Sequence, residues 1–175
     1  MKIGNRSPLL LIVAFVSGMS VMAMEIGAAR LIAPYFGTSL FVWTNIIGVV
    51  LVALTLGYYF GGKISDKEPK IEILLWLICI AGFVFSVVPW IVEPVAMLIK
   101  DMLFEYQTAS ALIMIGSFVT ILVLFAAPLI LLGAVSPYVI KLYATSIDNL
   151  GQKAGQVFAL STVGSILGTF LPTLL

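Results

Sequence analysis

The sequence predicts an all-α membrane protein, a polytopic helix bundle of about five transmembrane helices that forms a single domain over residues 1–175. Composition gives the first reason, because hydrophobic residues make up 62% of the chain and charged residues only 10%. Soluble domains carry about 25% charged residues, so this chain lacks the charge to cover a water-facing surface. The second reason is a series of apolar runs that approach or exceed the roughly 20 residues with which a helix crosses a bilayer.

Five stretches are apolar enough to span a membrane, and we expect transmembrane helices at residues 9–29, 40–60, 73–92, 108–140 and 155–175. A cleaved signal peptide is the alternative for the first stretch, since Lys2 and Arg6 precede it. Its apolar run is longer than the ~7–15 residues of a signal peptide, and Glu25 stands where small residues should prepare cleavage. We therefore keep this stretch as a helix of the mature protein.

The longest uncharged run covers residues 106–140 and is open to two interpretations. As one helix it extends about 52 Å at 1.5 Å per residue, and as a hairpin it breaks near Pro128. One helix leaves seven Lys and Arg residues on the cytoplasmic side and two outside, whereas the hairpin gives five and four. The positive-inside rule therefore favours one helix, five spans and a cytoplasmic N-terminus, with Pro128 and Pro137 as kinks or ends.

Composition excludes several kinds of chemistry. The chain has no His and a single Cys, Cys79, which lies in an apolar run and cannot form an internal disulfide. The sequence offers no cluster with metal-ligand spacing, no paired carboxylates and no pair of nucleophile and base. A net charge of +1 leaves no basic surplus for nucleic acid. We therefore expect the lipid bilayer as a partner, but no metal, no cofactor, no nucleic acid and no catalytic residues.

Glu25 is the main candidate for a substrate or ion site, together with Arg30 and with Trp43, near the outer ends of the first two spans. A carboxylate in the membrane core costs roughly 2.5–3.5 kcal/mol on insertion scales and normally has a partner. One interpretation makes Glu25 a cation or proton site that faces a central cavity. The other makes it part of an ion pair or hydrogen bond that fixes helix packing. Arg30 is five residues further on, which does not stack the two side chains as a spacing of four does.

Small residues recur at helical spacing on two of the expected helices. Such faces let helix backbones approach closely, either within one chain or between chains. The residues concerned are Ala53, Gly57 and Gly61 in the second span, and Gly155, Ala159, Gly164 and Gly168 in the last.

We expect the segment 61–67 to form a tight cytoplasmic turn between the second and third spans. Glycines such as Gly62 permit a sharp turn, and Asp66 can cap the next helix and hold nearby lysines. A solvated turn that sets the topology is a sufficient physical explanation for this segment.

Three blocks of sequence resemble the membrane region of the spermidine-synthase-like fused transmembrane proteins. They are residues 25–39 with Trp43 and residues 57–62, then residues 132–137, then residues 161–169. In full-length relatives this region looks like half of a major-facilitator transporter and precedes a cytosolic aminopropyltransferase-like domain. The resemblance implies an incomplete half of that fold, in which the segment from Gly62 to Asp66 is similar to the signature loop of the superfamily. The catalytic domain has no counterpart in this sequence, so the resemblance implies no enzyme activity.

The resemblance leaves two classes of function and a third alternative. The first is transport or channelling of a small organic cation such as a polyamine across a cell membrane, together with a partner chain. The second is a membrane anchor or scaffold for a soluble synthase-like partner, and the third is a truncated fragment. The resemblance also places the second and fifth spans where two halves would meet. We therefore expect their glycine faces to be uncovered by this chain, which predicts a homodimer or a complex with a second membrane chain.

Overall fold

Over its described residues the protein is a bundle of five long α-helices. The computed structural model describes residues 7–104, 108–144 and 149–174, and over these residues it contains no strand. The helices are α1 (Ser7–Phe36), α2 (Leu40–Lys67), α3 (Ile71–Phe104), α4 (Ala109–Tyr143) and α5 (Leu150–Leu174). All five are long and apolar enough to cross a membrane, so the all-α multi-pass prediction is confirmed. Lys2 and Arg6, on which the orientation depends, lie outside the described residues, as does Leu175 at the end of the fifth expected span.

The helices extend beyond the expected spans because helical structure continues past the apolar core of each segment. α1 runs on to Phe36 and ends at Gly37, whose φ of +76° is a left-handed conformation that favours glycine. α3 continues to Phe104, with Pro89 and Pro94 both inside the helix. Only three residues separate α1 from α2, and three separate α2 from α3, so consecutive helices return through short connections.

α4 is one continuous helix of 35 residues, as the charge count favours, and it is the centre of the bundle. Pro128 and Pro137 both lie inside it, so neither ends a helix and the hairpin alternative is wrong. Of its most apolar 18-residue window 56% is buried, against 33% or less for every other helix. The reason is position, since α4 packs against all four other helices.

Two clusters of buried side chains form the core. The larger contains Met24, Ile32 and Phe36 of α1, packed with residues of α2, α3 and α4. The smaller surrounds Tyr138 of α4 at the end of the bundle where α2 and α4 finish, and Val157 of α5 belongs to it. We call this end the Lys67 end and the opposite one the Phe36 end.

The glycine face of α2 packs against α4. A Cβ built on Gly57 would lie 2.4 Å from the Ile130 carbonyl oxygen, and one on Gly61 would lie 2.5 Å from the Ala134 Cα. Contacts that short leave no room for any side chain, so glycine permits the close approach of the two backbones. Ala53, one turn earlier, is 2% exposed on the same face.

The glycine face of α5 packs against α1 in the same manner. A Cβ on Gly164 would lie 2.0 Å from the Phe15 carbonyl oxygen, and one on Gly168 would lie 2.1 Å from that of Met19. Gly155 and Ala159, nearer the start of α5, are exposed, and Gly155 has nothing within 4 Å of its Cβ position. The expectation that both glycine faces are uncovered by the chain is therefore wrong. Their neighbours are helices of the same chain, and the spacing of the glycines could not reveal this.

These two helix pairs have the same register. A shift of 115 residues carries Phe15, Gly18 and Met19 of α1 onto Ile130, Gly133 and Ala134 of α4. A shift of 107 residues carries Leu54, Gly57 and Gly61 of α2 onto Ser161, Gly164 and Gly168 of α5. The closest glycine contacts of one pair have equivalents in the other, including the carbonyl oxygens of Leu54 and Ser161 against Gly133 and Gly18. Successive spans cross a membrane in opposite directions, so α1 and α4, which are three spans apart, are antiparallel. The α1–α2 and α4–α5 units are therefore related as an inverted repeat.

The segment 61–67 is not a turn, contrary to the expectation. It forms the last two turns of α2, and the connection to α3 is only Glu68, Pro69 and Lys70. Gly61 serves close packing on α4 rather than a change of direction, and Ser65 is buried at 2% exposure. Asp66 does not cap α3, because its carboxylate accepts from the Lys141 ammonium at 2.7 Å.

Candidate functional site

Glu25 lies on α1 in the half of the bundle nearer the Phe36 end and is half-buried. Over the residues that the structure describes, its carboxylate forms no ion pair and no hydrogen bond with another side chain. The ion pair with Arg30 that one interpretation requires is therefore not formed. Side chains five positions apart on a helix point about 140° away from each other, at 3.6 residues per turn.

Arg30 and Trp43 do not join Glu25 in a site. Arg30 is exposed on α1, and Trp43 is 37% exposed near the start of α2. Neither has a polar contact with Glu25 in the described part of the chain. Of the three candidates, only Glu25 occupies a helix face that continues into the bundle.

That face leads to a cavity. Gly18, Val21 and Met22 of α1 line a partly open cavity of about 130 Å³, and Glu25 follows at the next turn of the same helical stripe. The remaining walls come from α2, α4 and α5, with Leu54, Gly133 and Ser161 among the lining residues. The cavity therefore lies where the two glycine-packed helix pairs meet.

Five residues with hydroxyl groups give this cavity its polar character: Ser17, Tyr58, Ser136, Ser161 and Ser165. Two of them bond across helices, since the Ser17 hydroxyl donates to the Leu132 carbonyl at 3.3 Å and Ser165 to that of Gly18 at 3.1 Å. The hydroxyls of Ser136 and Ser161 form no hydrogen bond within the described ranges. In the sequence, Ser161 and Ser165 stand out as hydroxyls among glycines, but Ser17 and Ser136 carry no signal of their own.

Polar contacts also tie the helices together at the Lys67 end. The Tyr138 hydroxyl donates to the Glu68 carbonyl oxygen and accepts from the Lys70 backbone N–H. The Lys153 ammonium lies 4.1 Å from the ring centre of Tyr143, whose hydroxyl donates to Gln156. These contacts join the α2–α3 connection to α4, and α4 to the first turns of α5.

In the α2–α3 connection, Glu68 and Lys70 form an ion pair that shifts the pKa of both side chains. Lys70 donates to the Glu68 carboxylate at 2.7 Å, and this hydrogen bond and the ammonium charge lower the pKa of Glu68. The same hydrogen bond and the Glu68 charge raise the pKa of Lys70. Both side chains are more than half exposed, so solvent screens the pair and its structural role is minor.

Taken together, these features define a class: a multi-pass helical membrane protein with an inverted repeat and a serine-lined cavity between its two glycine-packed helix pairs. Comparison with protein-family models, with curated proteins and with solved structures finds no match for this chain.

Proposed function

We propose that this chain is a transport module that moves or channels a small organic cation, such as a polyamine, across a cell membrane. The unpaired Glu25 carboxylate within the α1 span carries the proposal. An acidic side chain in a membrane helix is costly and is retained where it pairs with a charge or faces water. Because the described residues supply no cation to Glu25, a cationic cargo is the partner that balances its charge.

The inverted repeat supports the same proposal. Many secondary transporters consist of inverted repeats whose substrate sites lie near the bilayer midplane at the interface between repeats. The serine-lined cavity occupies that interface, and Glu25 lies one turn beyond it on α1. A simple anchor requires neither the cavity nor an unpaired carboxylate, so this arrangement favours transport over the scaffold alternative.

The orientation and the partner are part of the proposal. The Lys and Arg count favours a cytoplasmic N-terminus and a cytoplasmic Lys67 end. Glu25 is half-exposed at the bundle surface, so a water-filled route beside it needs a second wall that excludes lipid. We propose that a second membrane chain or a second copy of this chain supplies that wall. The resemblance to the spermidine-synthase-like proteins adds a soluble synthase-like protein as a further partner.

Uptake into proteoliposomes tests the proposal. Wild-type protein should accumulate radiolabelled 1,4-diaminobutane, and Glu25→Gln should abolish uptake while the variant stays monodisperse in detergent. Glu93→Gln is the matched control, because Glu93 is an exposed carboxylate on α3 away from the cavity. Full uptake by the Glu25→Gln variant contradicts the role of Glu25. Absence of uptake by the wild type, with loss of stability in Glu25→Gln, supports a structural carboxylate and an anchor instead.

A further inference from the structure

Equivalent positions of the two repeats line the cavity. Under the shifts of 115 and 107 residues, every lining residue except Met22 has a counterpart that also lines the cavity. Gly18 pairs in this way with Gly133, Val21 with Ser136, and Leu54 with Ser161. A space bounded by equivalent positions of both repeats is a consequence of the architecture and not an accidental packing fault.

The repeat is symmetric in backbone but not in chemistry. Where α1 has Val21, α4 has Ser136, and where α2 has Leu54, α5 has Ser161. The lining is therefore mixed, and all four helices contribute hydroxyls, from Ser17, Tyr58, Ser136, Ser161 and Ser165, beside apolar residues such as Val21 and Leu132. Such a mixed lining suits a molecule with a polar head and an apolar body.

The hydroxyl oxygens are the acceptors in this cavity. Ser136 is 9% exposed, and neither it nor Ser161 has a hydrogen-bond partner in the described part of the chain. The oxygens of Ser17 and Ser165, which donate to carbonyls, keep their lone pairs for a further donor. A primary ammonium group has three donors and no acceptor, so it complements this set.

The size of the cavity limits what can bind. Its volume of about 130 Å³ is close to that of an engineered cavity of about 150 Å³ that holds benzene, a molecule of six heavy atoms. A short linear amine therefore fits within it. Glu25 lies about 4.5 Å further along the α1 axis than the lining residue Met22, at 1.5 Å per residue, so it is the acidic residue that follows the lining on the same helical stripe.

We propose that this cavity recognises the primary ammonium group of the cargo through the hydroxyl oxygens of Ser136 and Ser161, with Glu25 as the neighbouring counter-charge. The inference rests on the proposed function and specifies its substrate class as short linear primary amines. It also assigns the binding site to the space between the two helix pairs within one chain. A partner chain then encloses the route but does not supply the recognition groups.

Binding to wild-type protein in lipid nanodiscs tests this proposal with two probes of equal charge. n-Butylammonium has N–H donors, whereas tetramethylammonium has none. We expect n-butylammonium to bind at least tenfold more tightly, since one charge-assisted hydrogen bond is worth about a factor of ten. Equal affinity for the two probes overturns the proposal without recourse to any variant.

Two variants locate the recognition groups. Ser136→Ala and Ser161→Ala should each weaken n-butylammonium binding about tenfold and leave tetramethylammonium binding unchanged. Thr162→Val is the matched control, since the Thr162 hydroxyl is exposed and donates to the Phe158 carbonyl of its own helix at 2.8 Å. The control should bind both probes as the wild type does.

The outcomes separate this inference from the proposed function. If the wild type binds neither probe and takes up no 1,4-diaminobutane, both fail. If Glu25→Gln loses cation binding while both serine variants retain the full n-butylammonium affinity, only the assignment of the cavity is overturned. If Thr162→Val loses as much n-butylammonium affinity as the serine variants, the assignment of the cavity is also overturned, because the loss then does not depend on the cavity.

Discussion

Replacement of Gly164 by alanine tests the close approach of α5 to α1. The new Cβ would lie 2.0 Å from the Phe15 carbonyl oxygen and 2.9 Å from the carbonyl carbon, whereas ordinary contacts begin near 3.4 Å. The obstructing atoms are backbone, so a side-chain rotation cannot relieve the clash. The two helices must separate locally by roughly 1 Å, which opens gaps in a packed interface.

The expected magnitude follows from two opposing effects. Overpacking of this kind costs about 1–3 kcal/mol, and alanine is about 1 kcal/mol better than glycine within a helix. Gly155→Ala, on the same helix, gains the same helix propensity but meets nothing within 4 Å. The difference between the two variants therefore isolates the packing cost, and we expect Gly164→Ala to be less stable than Gly155→Ala by about 1–3 kcal/mol.

Unfolding by sodium dodecyl sulfate in mixed micelles, followed by far-UV circular dichroism, measures this difference. The equivalent α2 variant, Gly57→Ala, should show a similar loss, since its Cβ would lie 2.4 Å from the Ile130 carbonyl oxygen. If Gly164→Ala and Gly155→Ala unfold at the same detergent fraction, α5 and α1 do not approach as described. A loss in Gly164→Ala but not in Gly57→Ala would contradict the common register of the two pairs.

Three further predictions concern the Lys67 end. In a Cys79→Ser background, a Cys at position 68 should react only with reagent on the cytoplasmic side and a Cys at position 108 only with reagent outside. Tyr138→Phe should lower the free energy of unfolding by about 1 kcal/mol, because the Glu68 carbonyl loses a hydrogen bond. The lowered pKa of Glu68 contributes a little stability above the ordinary pKa of 4.5, and this contribution should be lost as the pH falls through the lowered pKa. Glu68→Gln should abolish that acid-side change, whereas Lys70→Gln should reduce it.

Reaction of position 68 with an outside-only reagent would reverse the orientation that we propose. Wild-type stability in Tyr138→Phe would show that water replaces the hydroxyl without cost. An unchanged acid-side slope in Glu68→Gln would assign the pH dependence to other carboxylates. The far-UV circular dichroism of each purified variant shows whether that variant has folded.

The number of helices is predictable from the sequence, whereas the use of their glycines is not. A run of apolar residues has one low-energy arrangement in lipid, a helix that satisfies its own backbone, and the charge of Lys141 indicates where α4 ends. The spacing of Gly57 and Gly61 shows which residues share a helix face. It does not show which helix covers that face, because Gly133 and Gly18 are distant in sequence and equally suitable. Glycine at position 61 is also compatible with both close helix packing and a sharp turn, and only the fold shows which of the two it serves.

Of the candidate site, only the acidic residue Glu25 can be predicted from the sequence. Glu25 is conspicuous because an acidic residue in an apolar run is rare, and its position on the cavity stripe follows from the helical period. The cavity itself depends on residues that the fold brings together from four helices. The repeat is also difficult to recognise in the sequence. Its halves share the glycines at the contacts, whereas other equivalent positions, such as Val21 and Ser136, differ in chemistry.

The central position of α4 has a consequence for how the protein is made. α1 touches α2 and α3 only slightly, and α2 and α3 do not pack against each other over their described residues. A nascent chain that has inserted only its first three helices therefore lacks the surface on which they assemble. We therefore expect the bundle to assemble when α4 enters the membrane, and α5 to pack on α1 afterwards. A ribosome stalled before residue 109 would expose three loosely associated helices to membrane proteases, whereas one stalled within α5 would present a bundle already packed around α4.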